Sequence, residues 1–255
     1  MDTLPPELVL CFIQFFPLTS LIAARGVNTR WRSLAQTASL HPARKVLLDL
    51  YFAAIVHPSF SSLVEALQPH VREFDREAYV ADLTSRGCVL PDLFELWVLE
   101  WPSKAIHFWA WPGLAPDGSV DHEHYYWGNV LGETTLTIDT IPVPKKEVAS
   151  VGKTTCQGLA LWEVKLWGGA GEAQLWLVVD AHERINERGL GRLLWTHTYY
   201  LGAPPGIGQP KRIFYDTPFV YNSFTEFLDM LDYSRDCLEY TLDGYYLGGI
   251  HDVDE

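Results

Sequence analysis

The chain has 255 residues, 48% of them apolar and 20% charged, which is enough to bury a real core and too apolar for disorder to dominate. Its net charge is −13, and the imbalance is uneven: residues 1–100 hold 8 Lys/Arg against 11 Asp/Glu, residues 101–255 hold 11 against 21. A chain this acidic lacks the basic stripe that neutralises phosphates, which sets aside nucleic acid and anionic membrane as partners.

Four widely spaced cysteines, Cys11, Cys88, Cys156 and Cys237, form no C-x-x-C pair and read as reduced thiols of a cytoplasmic or nuclear protein. The start Met1-Asp2-Thr3 lacks the basic region of a signal peptide, and no apolar run reaches the ~20 residues that span a bilayer. The pattern divides the chain into a helical module at 1–40, a helical connector at 41–87, an α+β domain at 88–242 and an acidic, Gly-rich tail at 243–255.

The first module reads LPPELVLCFIQFFPLTSLIAARGVNTRWRSLA from Leu4 to Ala35. Thr3 is placed to cap a helix whose first turn tolerates Pro5 and Pro6, and Glu7 suits the positive helix end. Leu4, Leu8, Phe12 and Phe15 recur at helical spacing, with Val9, Ile13 and Phe16 widening the stripe, and Pro17 ends it. Thr19 or Ser20 is the expected cap of a second short helix with Leu21, Ile22 and Ala24 inward, ending at Gly26. A third begins at Asn28 and carries Trp31 and Leu34. Three helices in ~32 residues cannot hide this much apolar surface alone, so part of the stripe should face a partner.

This segment resembles an F-box along its whole length, through Leu4-Pro5-Pro6-Glu7-Leu8, Pro17-Leu18 with Leu21, and Arg25, Val27-Asn28 and Arg30-Trp31-Arg32. The resemblance implies docking to an Skp-family adaptor and, through it, to a cullin scaffold. The contact set it implies is Leu4, Pro5, Leu8, Leu18, Leu21, Val27 and Trp31. Against Glu7, the cations Arg25, Arg30 and Arg32 leave the segment positive, complementary to an acidic adaptor. One departure is the apolar run Cys11 to Phe16, part of which is expected to pack on the following domain.

The connector reads as short helices. Pro42 opens one through Val46, Leu47, Leu50 and Ala54 that ends near Pro58, Phe60 to Leu67 forms another stopped by Pro69, and Asp75 to Leu83 a third ending at Gly87. Without a Gly/Ser linker, it should transmit orientation from one module to the next.

From Cys88 the texture changes. Pro91 to Leu99 reads as an apolar helix, followed by strands at Ala105–Trp111, Thr134–Ile141, Leu159–Trp167, Gln174–Val179 and Ile213–Tyr215. Gly168 to Gly171 suits a hairpin loop, and Asn222-Ser223 caps an amphipathic helix from Phe224 to Leu231. An early helix, an antiparallel sheet and a late Ser-Phe-Thr-Glu-Phe-Leu helix are similar to the SUKH superfamily, which includes the Smi/Knr-type regulators of fungal cell-wall synthesis. That resemblance, together with Trp97-Val98-Leu99-Glu100-Trp101-Pro102, implies a fungal-type F-box protein whose second domain binds protein and does not catalyse.

Candidate chemistry is sparse. His122-Glu123-His124 is the one dense ligand cluster, but Gly118 and Asp121 place it in a solvated loop without further ligands nearby. Gly168 to Gly171 and Gly189-Leu190-Gly191 lack the spacing of phosphate loops, and there is no G-x-S-x-G elbow. Asp180, His182 and Glu183 read as a surface turn rather than an acid–base set.

The expectation is a non-catalytic substrate-recognition subunit of a Skp–cullin–F-box ubiquitin ligase, with no cofactor, no metal and an unidentified protein target held by the C-terminal domain. The alternative is a SUKH-type interaction scaffold in cell-wall or stress signalling without ligase function. The Trp residues are expected mostly in the core, with a few lining a surface that prefers a basic partner.

Overall fold

The computed structural model describes residues 4–58, 60–107, 110–114, 125–132, 136–142, 155–166, 171–179, 193–199 and 211–213, and the single positions 224, 226 and 228. Side chains are described for all of these except 125–128, 142, 162–166, 171–173, 193–199 and 211–213. The architecture is α+β. Seven helices come first, α1 (Pro6–Ile13), α2 (Leu18–Val27), α3 (Thr29–Thr37), α4 (Pro42–Ala54), α5 (Phe60–Leu67), α6 (Arg76–Ser85) and α7 (Asp92–Glu100). A sheet follows, built from β1 (Tyr125–Asn129), β2 (Ile138–Pro142), β3 (Thr155–Leu166), β4 (Gly171–Val178), β5 (Leu193–Tyr199) and β6 (Lys211–Ile213).

Prolines punctuate the helical half. Pro5, Pro17 and Pro91 occupy N-cap positions, and Pro6 and Pro42 the first turn, where a missing N–H leaves no bond unmade. Asn28 and Asp75 cap α3 and α6 by accepting the N–H of Trp31 and Ala78, each at 2.9 Å. After α6, Gly87 adopts φ +86°, a left-handed turn that glycine enters without cost. The expected cap of α2 at Thr19 or Ser20 is not used. The N-cap is Pro17, the helix begins at Leu18, and its first N–H is taken by Glu100, 82 residues away.

The sheet is antiparallel throughout, in the order β1-β3-β4-β5-β6, with β2 also on β3. The long β3 serves two partners on one edge: its first half pairs with β2 and its second half with β1. Between Ala160 and Trp162 the register with β4 shifts, a bulge that leaves Leu161 as the extra residue. Leu159, Leu161, Leu175, Leu177 and Val179 face the helices, while Cys156, Ala160, Trp176 and Val178 face the other side with Ile141 and Val130. That alternation is the period of two expected of a strand, and here both faces are buried. At Gly158 a Cβ would meet Ile141 Cδ1 at 2.7 Å and the Trp176 ring at 3.1 Å, so a larger residue there would push the end of the Ile141 side chain aside.

Four strands lie where the pattern predicts them, with shifted ends: β2, β3, β4 and, as far as Ile213, β6. Of the strand expected over Ala105–Trp111, the described residues 105–107 and 110–111 form none. Ser103–Ala105 is a 3-10 turn, and Ile106, His107, Ala110 and Trp111 have no ladder partner among the described residues. Local side chains claim the backbone instead. The Trp101 indole N–H donates to the Ala105 carbonyl at 3.0 Å, and His107 Nδ1 lies 2.9 Å from the same oxygen. The run's described residues Ala105, Ile106, His107, Ala110 and Trp111 are buried, which accounts for their largely apolar character. Strands β1 and β5 lie outside the expected set: β1 is short and holds Gly128, whereas β5 alternates Trp195, His197 and Tyr199 with Thr196 and Thr198, a signal present in the sequence.

One continuous core links the two halves. It runs from Val9, Ile13, Leu18 and Leu21 through Leu47 and Leu83 to Phe94, Trp97 and Trp101, and on to Leu159, Leu175 and Phe224. At its centre Trp97 meets Trp111 edge-to-face at 4.8 Å, and Phe224 lies 5.3 Å from both Phe94 and Trp97.

Candidate functional site

Among the described residues Val56, just beyond α4, is the most exposed large apolar side chain at 78%, but the largest group of them lies along α1 and the turns that flank it. Leu4, Leu8, Phe12 and Phe15 are 41%, 49%, 59% and 74% accessible, and Val27, at the end of α2, is 63% accessible. The first four recur at helical spacing and so form one outward stripe along α1 and the turns that flank it. The opposite face of α1, Val9 and Ile13 with half-buried Phe16, enters the core. The apolar run Cys11–Phe16 is therefore split. Ile13 and Phe16 pack inward on this chain, as expected of part of it, while Phe12 and Phe15 stay in solvent.

The seven residues implied for docking fall into two groups. Leu4, Pro5, Leu8 and Val27 are exposed and Trp31 is half-buried, so these five can be reached. Leu18 and Leu21 are fully enclosed in the core and hold α2 in place behind that surface. A contiguous exposed apolar patch is the kind of surface that proteins use for contacts.

Local hydrogen bonds set the corner where the three helices meet. Arg30 donates from Nη2 to the Leu4 carbonyl at 2.9 Å, tying the entry of α1 to α3. Arg32 donates from Nε to the Arg25 carbonyl at 3.2 Å in the last turns of α2, where cations are favoured. Arg25 turns away from the stripe. Its guanidinium lies 3.9 Å from the Phe52 ring centroid and 3.8 Å from Asp49, both on α4. Of the three cations counted on as complementary charge, Arg25 is thus used inside the chain, while exposed Arg32 remains at the surface.

Behind the stripe lies a polar junction that sequence reasoning missed. Glu100, at the end of α7, accepts the Leu18 N–H at 2.8 Å and takes three N–H contacts from Arg44 of α4, at 2.7, 2.9 and 3.0 Å. The hydrogen bond to Glu100 holds the Arg44 guanidinium above its usual pKa, against an opposing contribution from burial. Arg76 of α6 donates to the carbonyls of Trp101 at 2.7 Å and Leu99 at 3.2 Å, and to Ser103 Oγ at 2.7 Å. It also lies 5.1 Å over the Trp111 ring, and burial lowers its pKa. One signal for this junction was present in the sequence: an acid at the C-terminal end of a helix opposes the helix dipole and so has work elsewhere.

Among the described residues, no three of His, Cys, Asp and Glu gather where they could hold a metal ion. His122, Glu123 and His124, the set at Asp180, His182 and Glu183, and the loops at 168–170, 189–191 and 204–208 lie outside the described residues. No described helix is long and apolar enough to cross a membrane.

Residues 1–42 match the family model of the F-box domain. That span covers α1 to α3 and the exposed stripe. No curated protein and no solved structure matches this chain.

Proposed function

We propose that this chain is the substrate-recognition subunit of a Skp–cullin–F-box ubiquitin ligase. F-box domains act in general as non-catalytic adaptors of such ligases, and residues 1–42 match that domain. The observation that carries the proposal is the stripe of Leu4, Leu8, Phe12 and Phe15 with Val27 beside it, exposed within the matched segment. An Skp-family adaptor docks there, contacting Leu4, Pro5, Leu8, Val27 and Trp31, with Leu18 and Leu21 supporting the surface from beneath. Leu4 and Leu8 are already partly enclosed, so each gains only a fraction of the about 1.5–3 kcal/mol of full burial, and the stripe contributes to the complex together with further contacts.

The part that follows, residues 88–242, captures the target protein, with 41–87 as the connector. The SUKH-like reading of this part leans on Phe94 of α7 meeting Phe224, a helical position, at 5.3 Å beside an antiparallel sheet, the order on which that resemblance rests; the fungal type follows from the resemblance alone. Expressed in eukaryotic cells, the tagged full chain should co-purify an Skp-family adaptor and a cullin. Recovery of the chain without either would refute the proposal. An intact cullin complex with no ubiquitylated client would favour the scaffold alternative.

A further inference from the structure

Three parts of the chain meet at one carboxylate. Glu100 belongs to α7, which leads into the sheet half; its oxygens hold the first N–H of α2, in the F-box segment, and the guanidinium of Arg44, at the start of the connector. Pro17, the N-cap of α2, has no side-chain hydrogen bond to offer. Glu100 is badly placed for its own helix, whose C-terminal carbonyls repel it, and well placed for the positive end of α2. Arg76 supplies the compensation that α7 needs, on the Leu99 and Trp101 carbonyls. The side chains of Arg44 and Glu100 are both largely enclosed, so the geometry is held by a low-dielectric setting and not by a solvent-screened surface pair.

We propose that Glu100 is a positioning residue that sets the F-box helices at a fixed angle to α7 and the sheet. A partner docked on α1 and a protein held by the C-terminal domain are then presented to each other in one geometry. The inference extends the adaptor proposal, but the coupling of α2 to α7 exists with or without an adaptor. A pair that merely added stability would behave differently. Replacing a buried ion pair by apolar side chains of similar size often restores stability, yet it cannot restore an acceptor for the Leu18 N–H.

The test uses the full chain with spin labels on encoded non-cysteine residues at Gln36 of α3 and Thr140 of β2, both exposed. The distance distribution between them, amide exchange in the first turn of α2, and the urea midpoint are compared in wild type, Glu100→Ala and Arg44→Met/Glu100→Met. The expected result for Glu100→Ala is a distribution at least about twice as wide, with first-turn amides of α2 exchanging about tenfold faster, the loss typical of an N-cap. The double variant should regain most of the wild-type urea midpoint while keeping the wide distribution and the fast exchange. An unchanged width in Glu100→Ala, or a double variant that recovers width and exchange together with stability, would overturn the inference. A wild type that ignores the adaptor yet shows this pattern would sink the adaptor proposal alone.

Discussion

Tyr79 and Cys88 show how single enclosed groups set the pH range of this fold. The Tyr79 hydroxyl is buried with no hydrogen-bond partner, beside Phe74 at 5.6 Å. Burial first, and the nearby Asp82 charge second, push its pKa above the ordinary value of 10.0. Cys88 is likewise raised above 9.0, by burial first and by Asp82, with Arg86 opposing. Both groups are therefore neutral in the fold at pH values where the unfolded chain ionises. Their contribution is intact below about pH 9 and is lost as the pH rises beyond it, first through the thiol and then the phenol. The urea midpoint should fall between pH 8 and pH 11. Tyr79→Phe should leave stability at pH 7 unchanged or raise it by about 1 kcal/mol, because the enclosed hydroxyl is unpaired, and should flatten the alkaline decline. A steeper decline in Tyr79→Phe would contradict this assignment.

At the scale of the element, capping decides where helices begin, and it is also where sequence reading succeeded and failed. Asn28→Ala removes the oxygen that accepts the Trp31 N–H and should cost about 1 kcal/mol in urea unfolding, with the loss of helicity confined to α3. That cap was legible because Asn28, its helix and its target lie within three residues. The cap of α2 was not, since Glu100 is distant in sequence and only the finished fold brings it to Leu18. The prolines and the apolar period made α1 to α7 readable as elements, while α1 and α4 end at Ile13 and Ala54, short of Pro17 and Pro58, the prolines expected to stop them. Ala105–Trp111 was misread because an apolar run looks alike in a strand and in a packed irregular segment. The docking set divided for a related reason. Helical spacing says which residues share a face, and burial of Leu18 and Leu21 depends on α4 and α7, which that local pattern does not include.

At the scale of the whole molecule, the single core explains why the F-box segment need not stand alone. Its apolar inner faces continue into those of the connector and the sheet through Leu47, Leu83, Phe94 and Trp97. Trp97→Ala removes the ring that meets Phe94, Trp111 and Phe224. It should cost about 3–5 kcal/mol, with near-UV and far-UV signals lost in one transition, so that the helical half unfolds with the sheet. Two separate transitions would mean that the halves are independent domains.

If an adaptor covers the α1 stripe, a purified Skp-family adaptor should give a binding isotherm with this chain that depends on the stripe. The wild-type chain, Leu8→Asp on the stripe, and Val56→Asp on exposed surface beyond α4 are compared, all three checked for a wild-type urea midpoint. Saturable binding by wild type and Val56→Asp, weakened about thirtyfold or more in Leu8→Asp, is the predicted result. No binding by the wild-type chain, or equal binding by Leu8→Asp, would contradict it.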